Sequence, residues 1–369
     1  MTEFHNPLRG VPAVESPFSA EIFASSDAET QRVARCLEAD GFAVIDFPDA
    51  DFDKIADAIK SNLNGRFDWD AWLKAGHAAG AGLRLQDAWR FDNNVKRLAC
   101  NEKVIDLLSR LYGRRAWPFQ TLNFPVGTQQ HYHTDSVHFS SIPERFMCGV
   151  WTALEDIDED RGPLVYYPGS HKWPIYTNEH IGFCATDAGS AVNQELFEPM
   201  WEALVEKHGV KPYHFLPKKG QALIWAANLL HGGSPQRSPA LTRWSQVTHY
   251  YFEDCAYYTP MQSDPAYGRI AFRELTDIAT GKQVPNKYAG RTISREFIDA
   301  TRPRPVTLPD GFDDKLYYAA NPDVERGGMS ARDHWLNYGR HEGRALRPAG
   351  TKPSLLRSGF HGLLDRLRR

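Results

Sequence analysis

Cysteine is scarce and unpatterned in this chain. There are five, an odd number, scattered as Cys36, Cys100, Cys148, Cys184 and Cys255 with no CxxC pair. That argues against a disulfide framework and for a reducing, cytoplasmic home. No apolar run is long enough for a transmembrane helix, so no membrane span is expected. The opening, MTEFHNPLRG, lacks the basic and apolar segments of a leader, so no secretory signal is expected. Neither sign of charge dominates. The net charge is −3, which gives no reason to expect a nucleic-acid surface. What the chain does have is 369 residues, 42% hydrophobic and 24% charged, enough for one large globular domain and an appendage. Aromatics reach 12%, with ten Trp, which fits a β-rich core around an aromatic-lined pocket.

Local patterns divide the chain. Residues 1–25 carry Pro7, Pro12 and Pro17 and no periodicity, and read as an arm over the surface. Asp27-Ala28-Glu29 opens a helix to about Ala39, Gly41–Asp46 is a short buried strand, and a second helix runs from about Asp51 to Asn62. Apolar spacing over 101–112 predicts a helix ending at Gly113. From Trp117 the texture becomes short β-like runs: Phe119–Phe124, Arg145–Leu154, Gly162–Tyr167, Gln221–Leu229 and Leu241–Phe252, separated by Gly- and Pro-containing turns. Such a series suggests a sandwich or barrel. Residues 172–215 form an insertion, partly helical near Asn193–His208, of a size that often lids a site.

Within the β-like zone lies His133-Thr134-Asp135, followed much later by His231. This is the sequence order of a 2-His-1-carboxylate iron site. Three ligands on one face of an octahedral metal leave three positions open, enough for a bidentate co-substrate and O2. In a strand, residues i and i+2 share a face, so His133 and Asp135 can reach one metal with Thr134 turned away. His231 closes an apolar run before Gly232-Gly233 and is placed to complete the set. Arg243, expected on the next strand, offers a planar clamp for the far carboxylate of a chelating dicarboxylate. Arg237 competes for that role but sits in the turn-like SPQRSP.

The phrases QTLNF…GTQQHYHTDSVHF, VWTALEDIDEDRGPLVYYPGSHKWP and LLHGGSPQRSPALTRWSQVTHYYF resemble the phytanoyl-CoA dioxygenase family of Fe(II)/2-oxoglutarate oxygenases. GPLxxxPGSH is the most specific of them, and DGFAVI fits the family's usual entry. The resemblance covers about residues 30 to 300. It implies a mainly β fold with flanking helices, built on a double-stranded β-helix (jelly-roll, cupin-like) core. It places His133, Asp135 and His231 on the iron positions and Arg243 on the 2-oxoglutarate carboxylate. Gln120 and Trp151 become pocket residues near the co-substrate. The cofactors implied are Fe(II), 2-oxoglutarate and O2, with release of succinate and CO2 and hydroxylation of a small-molecule substrate. A Gly or Ala at 135 would open a position for halide, so a carboxylate there favours hydroxylation over halogenation.

Two other functions use the same residues. His131-Tyr132-His133-Thr134-Asp135 begins like the HxHxDH of zinc hydrolases, though Ser136 stands where the next His is needed. A catalytically silent binding relative is the other. His131 and His138 read as rim or supporting residues, or as plain polar strand positions. His171 reads as a residue that fixes the Pro-Gly-Ser turn.

The expected organisation is an arm (1–25), a dioxygenase domain (26–301), a Pro-rich linker (302–311), a small helical module (312–348) and a basic amphipathic tail helix (349–369). The module resembles a YLxxNPDV…HYxxxGxxEGR unit appended to bacterial surface-polysaccharide proteins. By association it tilts the substrate toward an envelope glycan or lipid precursor. Its core should be Tyr317, Pro322, Val324, Trp335 and Tyr338, with Gly339 and Gly343 at turns. In the tail, Leu356, Phe360, Leu363, Leu364 and Leu367 share one helical face. That face either docks on the protein or in a self-associated pair, the reading preferred, or lies on the anionic inner membrane surface.

Overall fold

The computed structural model describes residues 4–76, 83–185, 193–303, 308–340 and 342–350. The chain divides into two compact units, Met1–Phe183 with Asn193–Arg302, and Cys184–Val192 with Pro303–Arg369.

The larger unit is sheet-rich with helices. Its first eleven strands are β1 (Phe42–Asp46), β2 (Leu85–Gln86), β3 (Ala116–Phe124), β4 (Ser140–Ile142), β5 (Met147–Ala153), β6 (Leu164–Tyr166), β7 (Tyr213–Phe215), β8 (Gln221–Ala226), β9 (His231–Gly233), β10 (Ser245–Phe252) and β11 (Ala256–Tyr258), followed by two short two-stranded hairpins between Leu275 and Thr292. A six-stranded antiparallel sheet runs in the order β1-β8-β5-β10-β3-β2, and a three-stranded sheet in the order β7-β6-β9.

Alternation along β5, β8 and β10 sorts side chains between two cores. Cys148, Val150, Ala222, Ile224, Tyr250 and Phe252 face the helical layer. There they meet Val33 and Leu37 of α1 (Ala28–Asp40), Ile55 and Ile59 of α2 (Phe52–Asn64), and Leu108 and Leu111 of α3 (Glu102–Tyr112). Each helix has the spacing that makes one apolar stripe. Asp27 and Asn101 cap α1 and α3 by accepting from the amides of Thr30 and Val104, and Gly41 and Gly113 end them in the left-handed region. The opposite residues, Trp151, Leu223, Trp225 and Val247, form a second core with Tyr166 and Phe215 of the smaller sheet.

The opening segment differs from the expected surface arm. A 3-10 turn at Ala13–Glu15 and a short helix at Ser19–Phe23 bury Ala13, Val14 and Phe23 in the helical core, because Pro12 starts a turn that lays Ala13 and Val14 against α1 and α3.

In the smaller unit, short helices at Asp314–Ala320, Pro322–Arg326 and Ala331–His334 enclose Tyr317, Val324 and Ala331, with Trp335 and Leu346 against them. Tyr338, expected in this core, is 50% exposed. Gly339 is a close-approach position more than a turn: a Cβ there would overlap the Tyr317 hydroxyl, which binds His334 Nδ1. The predicted tail helix lies outside the described residues, apart from its first two positions. No helix among the described residues is long and apolar enough to cross a membrane.

Candidate active site

His133, Asp135 and His231 converge. Their ligating atoms lie within 4.8 Å of one another, and all three residues are buried. The means of convergence differs from the regular strand expected. His133 and His231 are clamped backbone to backbone: the amide of each donates to the carbonyl of the other, at 2.8 and 2.9 Å. The chain then leaves extended geometry, and Asp135 opens a 3-10 turn, Asp135–Val137. Ser136 pins that turn. Its amide donates to the Ala227 carbonyl, and its hydroxyl to Asn228 Oδ1 at 2.7 Å. Asn228 in turn donates to the carbonyls of His171 and Trp173 in the Pro-Gly-Ser segment.

The donor set suits a divalent transition metal. Nδ1 of His133 bonds the His131 carbonyl at 3.0 Å, and Nδ1 of His231 bonds the Leu229 carbonyl at 2.9 Å. An Nδ1–H donor in each ring leaves the Nε2 lone pair free to ligate. Burial, then the neighbouring His231, brings the His133 imidazole down to about 3, so it is neutral at ordinary pH. Burial alone would raise the Asp135 carboxyl. His231, His249 and His133 and the Trp225 indole N–H outweigh it, and the carboxyl sits below its usual value.

Arg243 lies just ahead of β10, not on it. It is 1% exposed, and its amide donates to the Pro125 carbonyl. Its guanidinium donates from Nη1 to the Gly162 carbonyl at 3.1 Å and lies 5.7 Å from the Trp151 ring, while Nε has no partner. Among the described residues, no carboxylate pairs with it. Burial lowers its pKa to about 10, which leaves it cationic. A buried guanidinium without an acid is costly unless a ligand supplies one. Arg243, Trp151, Gln120 and the His-Asp-His group all line one cavity of about 230 Å³.

The other readings separate in space. Arg237 is exposed and paired with Glu159 at 2.8 Å. His131 turns to Glu202 at 3.2 Å and is not part of the His-Asp-His group, so the first His of the HxHxD reading is not with the other two ligands. His138 does line the cavity, bonding Gln194 Oε1 at 3.2 Å. His171 is buried against the Glu38 carbonyl and fills a structural place. The insertion brings Gln194 to the cavity, and Trp201 of the helix Glu198–His208 lies 6.5 Å from the His133 ring.

Sequence reasoning missed Trp225 and His249. Trp225 donates from Nε1 to Asp135 Oδ2 at 2.8 Å. His249 Nδ1 bonds Gln120 Oε1 at 2.9 Å. The available signal was alternation: Val247 and His249 on β10, like Leu223 and Trp225 on β8, stand two apart and share a face.

A family model described as phytanoyl-CoA dioxygenase matches residues 8–244. Peroxisomal phytanoyl-CoA dioxygenase of Rattus norvegicus is 29% identical over 140 residues, 35% of this chain and 36% of that protein. A probable phytanoyl-CoA dioxygenase of Caenorhabditis elegans is 26% identical over 187 residues, 48% of this chain and 53% of its own. The chain thus spans between a third and about half of the curated relatives it matches. Among solved structures, the epimerase SnoN with Fe3+, alpha ketoglutarate and nogalamycin RO covers 71% of this chain and 97% of its own, at 19% identity and a TM-score of 0.47. Iron-bound EctD from S. alaskensis covers 64% and 80%, at 18% identity and a TM-score of 0.46. With the model spanning both halves of the His-Asp…His set and Arg243, the chain belongs to the phytanoyl-CoA dioxygenase family.

Proposed function

We propose that this chain is a non-haem Fe(II)- and 2-oxoglutarate-dependent dioxygenase that hydroxylates a small polar molecule, with residues 26–301 as the catalytic domain and its two sheets as a double-stranded β-helix. The observation that carries the proposal is Arg243, a buried cation with no acid beside it among the described residues, in the same cavity as a buried His-Asp-His group. His133, Asp135 and His231 would hold Fe(II), which when bound supplies O2 activation coupled to oxidative decarboxylation of 2-oxoglutarate to succinate and CO2. Arg243 then anchors the far carboxylate of 2-oxoglutarate through a charge-assisted fork, with Trp151 beside it. Leu122, Phe124 and Val247 keep water from that end. Gln120, fixed by His249, presents its amide toward the same space. Asp135 fills the position that a halide would need, which supports hydroxylation.

The rest of the cavity wall supports a polar substrate. Arg84, Gln86, Thr128, Gln130, His138 and Gln194 line it, interleaved with apolar Phe139 and Leu164. A sugar-like or acidic precursor, such as an envelope component, finds donors and acceptors. The basic tail remains the segment for self-association or contact with the inner membrane surface, on sequence grounds alone.

The test is an anaerobic titration with Fe(II) and 2-oxoglutarate. A weak visible charge-transfer band is expected in the natural protein and not in His133→Ala. Stoichiometric zinc uptake without that band would overturn the assignment.

A further inference from the structure

We propose that Trp225 is a positioning residue that restricts Asp135 to ligation through one oxygen, and that Gly149 provides the space it needs. The proposal rests on the oxygenase reading above. The two oxygens of Asp135 are not equivalent. Oδ1 faces His133 Nε2 at 3.9 Å, while Oδ2 accepts the Trp225 indole N–H at 2.8 Å. His249 Nε2 also lies toward Oδ2, but at 3.9 Å it is beyond hydrogen-bond reach.

This asymmetry has a chemical consequence. A carboxylate free to swing can chelate through both oxygens and occupy two positions on an octahedral metal. A chelating dicarboxylate and O2 need three positions, and the protein already supplies three ligands. A donor on Oδ2 occupies one of that oxygen's two lone pairs, holds the carboxylate against swinging and weakens Oδ2 as a donor, which favours Oδ1 as the ligand. An indole N–H suits the task because it only donates and carries no charge that could change. A hydroxyl could turn and accept instead. The Trp225 ring also lies 5.4 Å from the His231 ring, so one side chain touches two of the three ligands.

The strand register shows what seats the indole. Trp225 on β8 pairs with Gly149 on β5, Gly149 pairs with His249 on β10, and His249 pairs with Gln120 on β3. These four form one cross-strand row on the face toward the metal group. A Cβ at Gly149 would overlap the Trp225 ring atoms. Glycine inside a strand weakens it and often marks close approach of another group. Here the group is the indole, which crosses the gap toward His249, 6.0 Å away and edge-on.

The test uses Co(II) alone as a spectroscopic probe of the apoprotein, with natural protein, Trp225→Phe, and protein carrying the isosteric analogue 3-benzothienylalanine at position 225. The analogue replaces N–H by sulfur with little change of shape, so it reports even if Trp225→Phe fails to fold. Apo melting curves verify the fold. The expected result is Co(II) affinity reduced about 10- to 100-fold, as for other groups that orient metal ligands, with shifted ligand-field bands and a cooperative apo melt that shows the variant is folded. Natural affinity and natural bands in a folded variant would overturn this proposal alone. Natural protein that takes up no Co(II) would overturn the oxygenase reading with it.

Discussion

Arg243→Met should separate binding from stability in opposite directions. In the natural protein the guanidinium is 1% exposed, bonds one neutral carbonyl, Gly162 at 3.1 Å, and leaves Nε unpaired. Losing that carbonyl contact, one partner of which is charged, costs ~1.5–3 kcal/mol. Against it stands the desolvation of a buried cation, several kcal/mol per ion, which Met does not incur; replacing buried charge by an apolar side chain of similar volume is often neutral or stabilising by ~1–4 kcal/mol. The apoprotein should therefore melt at the same temperature or higher. Binding should move the other way. Loss of a hydrogen bond to a charged group is worth ~1.5–3 kcal/mol, which is about 10- to 150-fold in affinity for 2-oxoglutarate. Calorimetric titration of 2-oxoglutarate into Mn(II)-loaded protein gives the affinity, and melting without ligand gives the stability. A variant that loses 3–5 kcal/mol of apo stability, the usual result of breaking a buried ion pair, and still binds 2-oxoglutarate like the natural protein would show that Arg243 is a structural cation.

His133→Ala and Asp135→Ala should each abolish succinate formation while far-UV circular dichroism stays natural; turnover in either would sink the metal assignment. Asp27 provides a pH test. The Thr30 amide and hydroxyl, and then Arg110, hold its carboxyl at about 2 against an ordinary 3.8. A depressed carboxyl stabilises the fold above its unfolded value and ceases to as pH falls through its folded value. The urea-midpoint gap between natural protein and Asp27→Ala should thus be full at pH 6 and shrink steadily from pH 4 toward 2; a gap that does not depend on pH would contradict the cap's charge. Deletion of residues 354–369 distinguishes the two tail readings: with the Leu face docked, binding to vesicles rich in anionic lipid stays as it was, and a clear loss of binding would place the tail on lipid.

What could be read from sequence here depended on whether a property is local. The apolar stripes of α1, α2 and α3 and the glycines that end α1 and α3 are set within a few residues, and their elements lie within a residue or two of where they were expected. The ligand order was legible for a related reason: His-x-Asp fixes two donors by adjacency, and only the third needs the fold. Yet the geometry that joins them was not local. The reach of Asp135 depends on Ser136 finding Ala227 and Asn228, and the His133–His231 clamp is made between segments far apart in sequence. The opening segment was misjudged because Ala13 and Val14 become core residues only once α1 and α3 lie beside them. Trp225, His249 and Gly149 were hidden by the same dependence, since alternation says which residues share a face but not what that face meets. In a six-stranded sheet with helices on one side and a smaller sheet on the other, both faces are buried and both read as apolar. A Trp in such a strand is core on either side. It acts on a metal ligand only because register sets a glycine beside it and the Asp135 turn comes within hydrogen-bond reach of its nitrogen. Chemistry-bearing residue types in a strand buried on both faces therefore gain meaning from their cross-strand neighbours, and the register row Trp225–Gly149–His249–Gln120 is where this chain's individual character can be sought beyond the ligands.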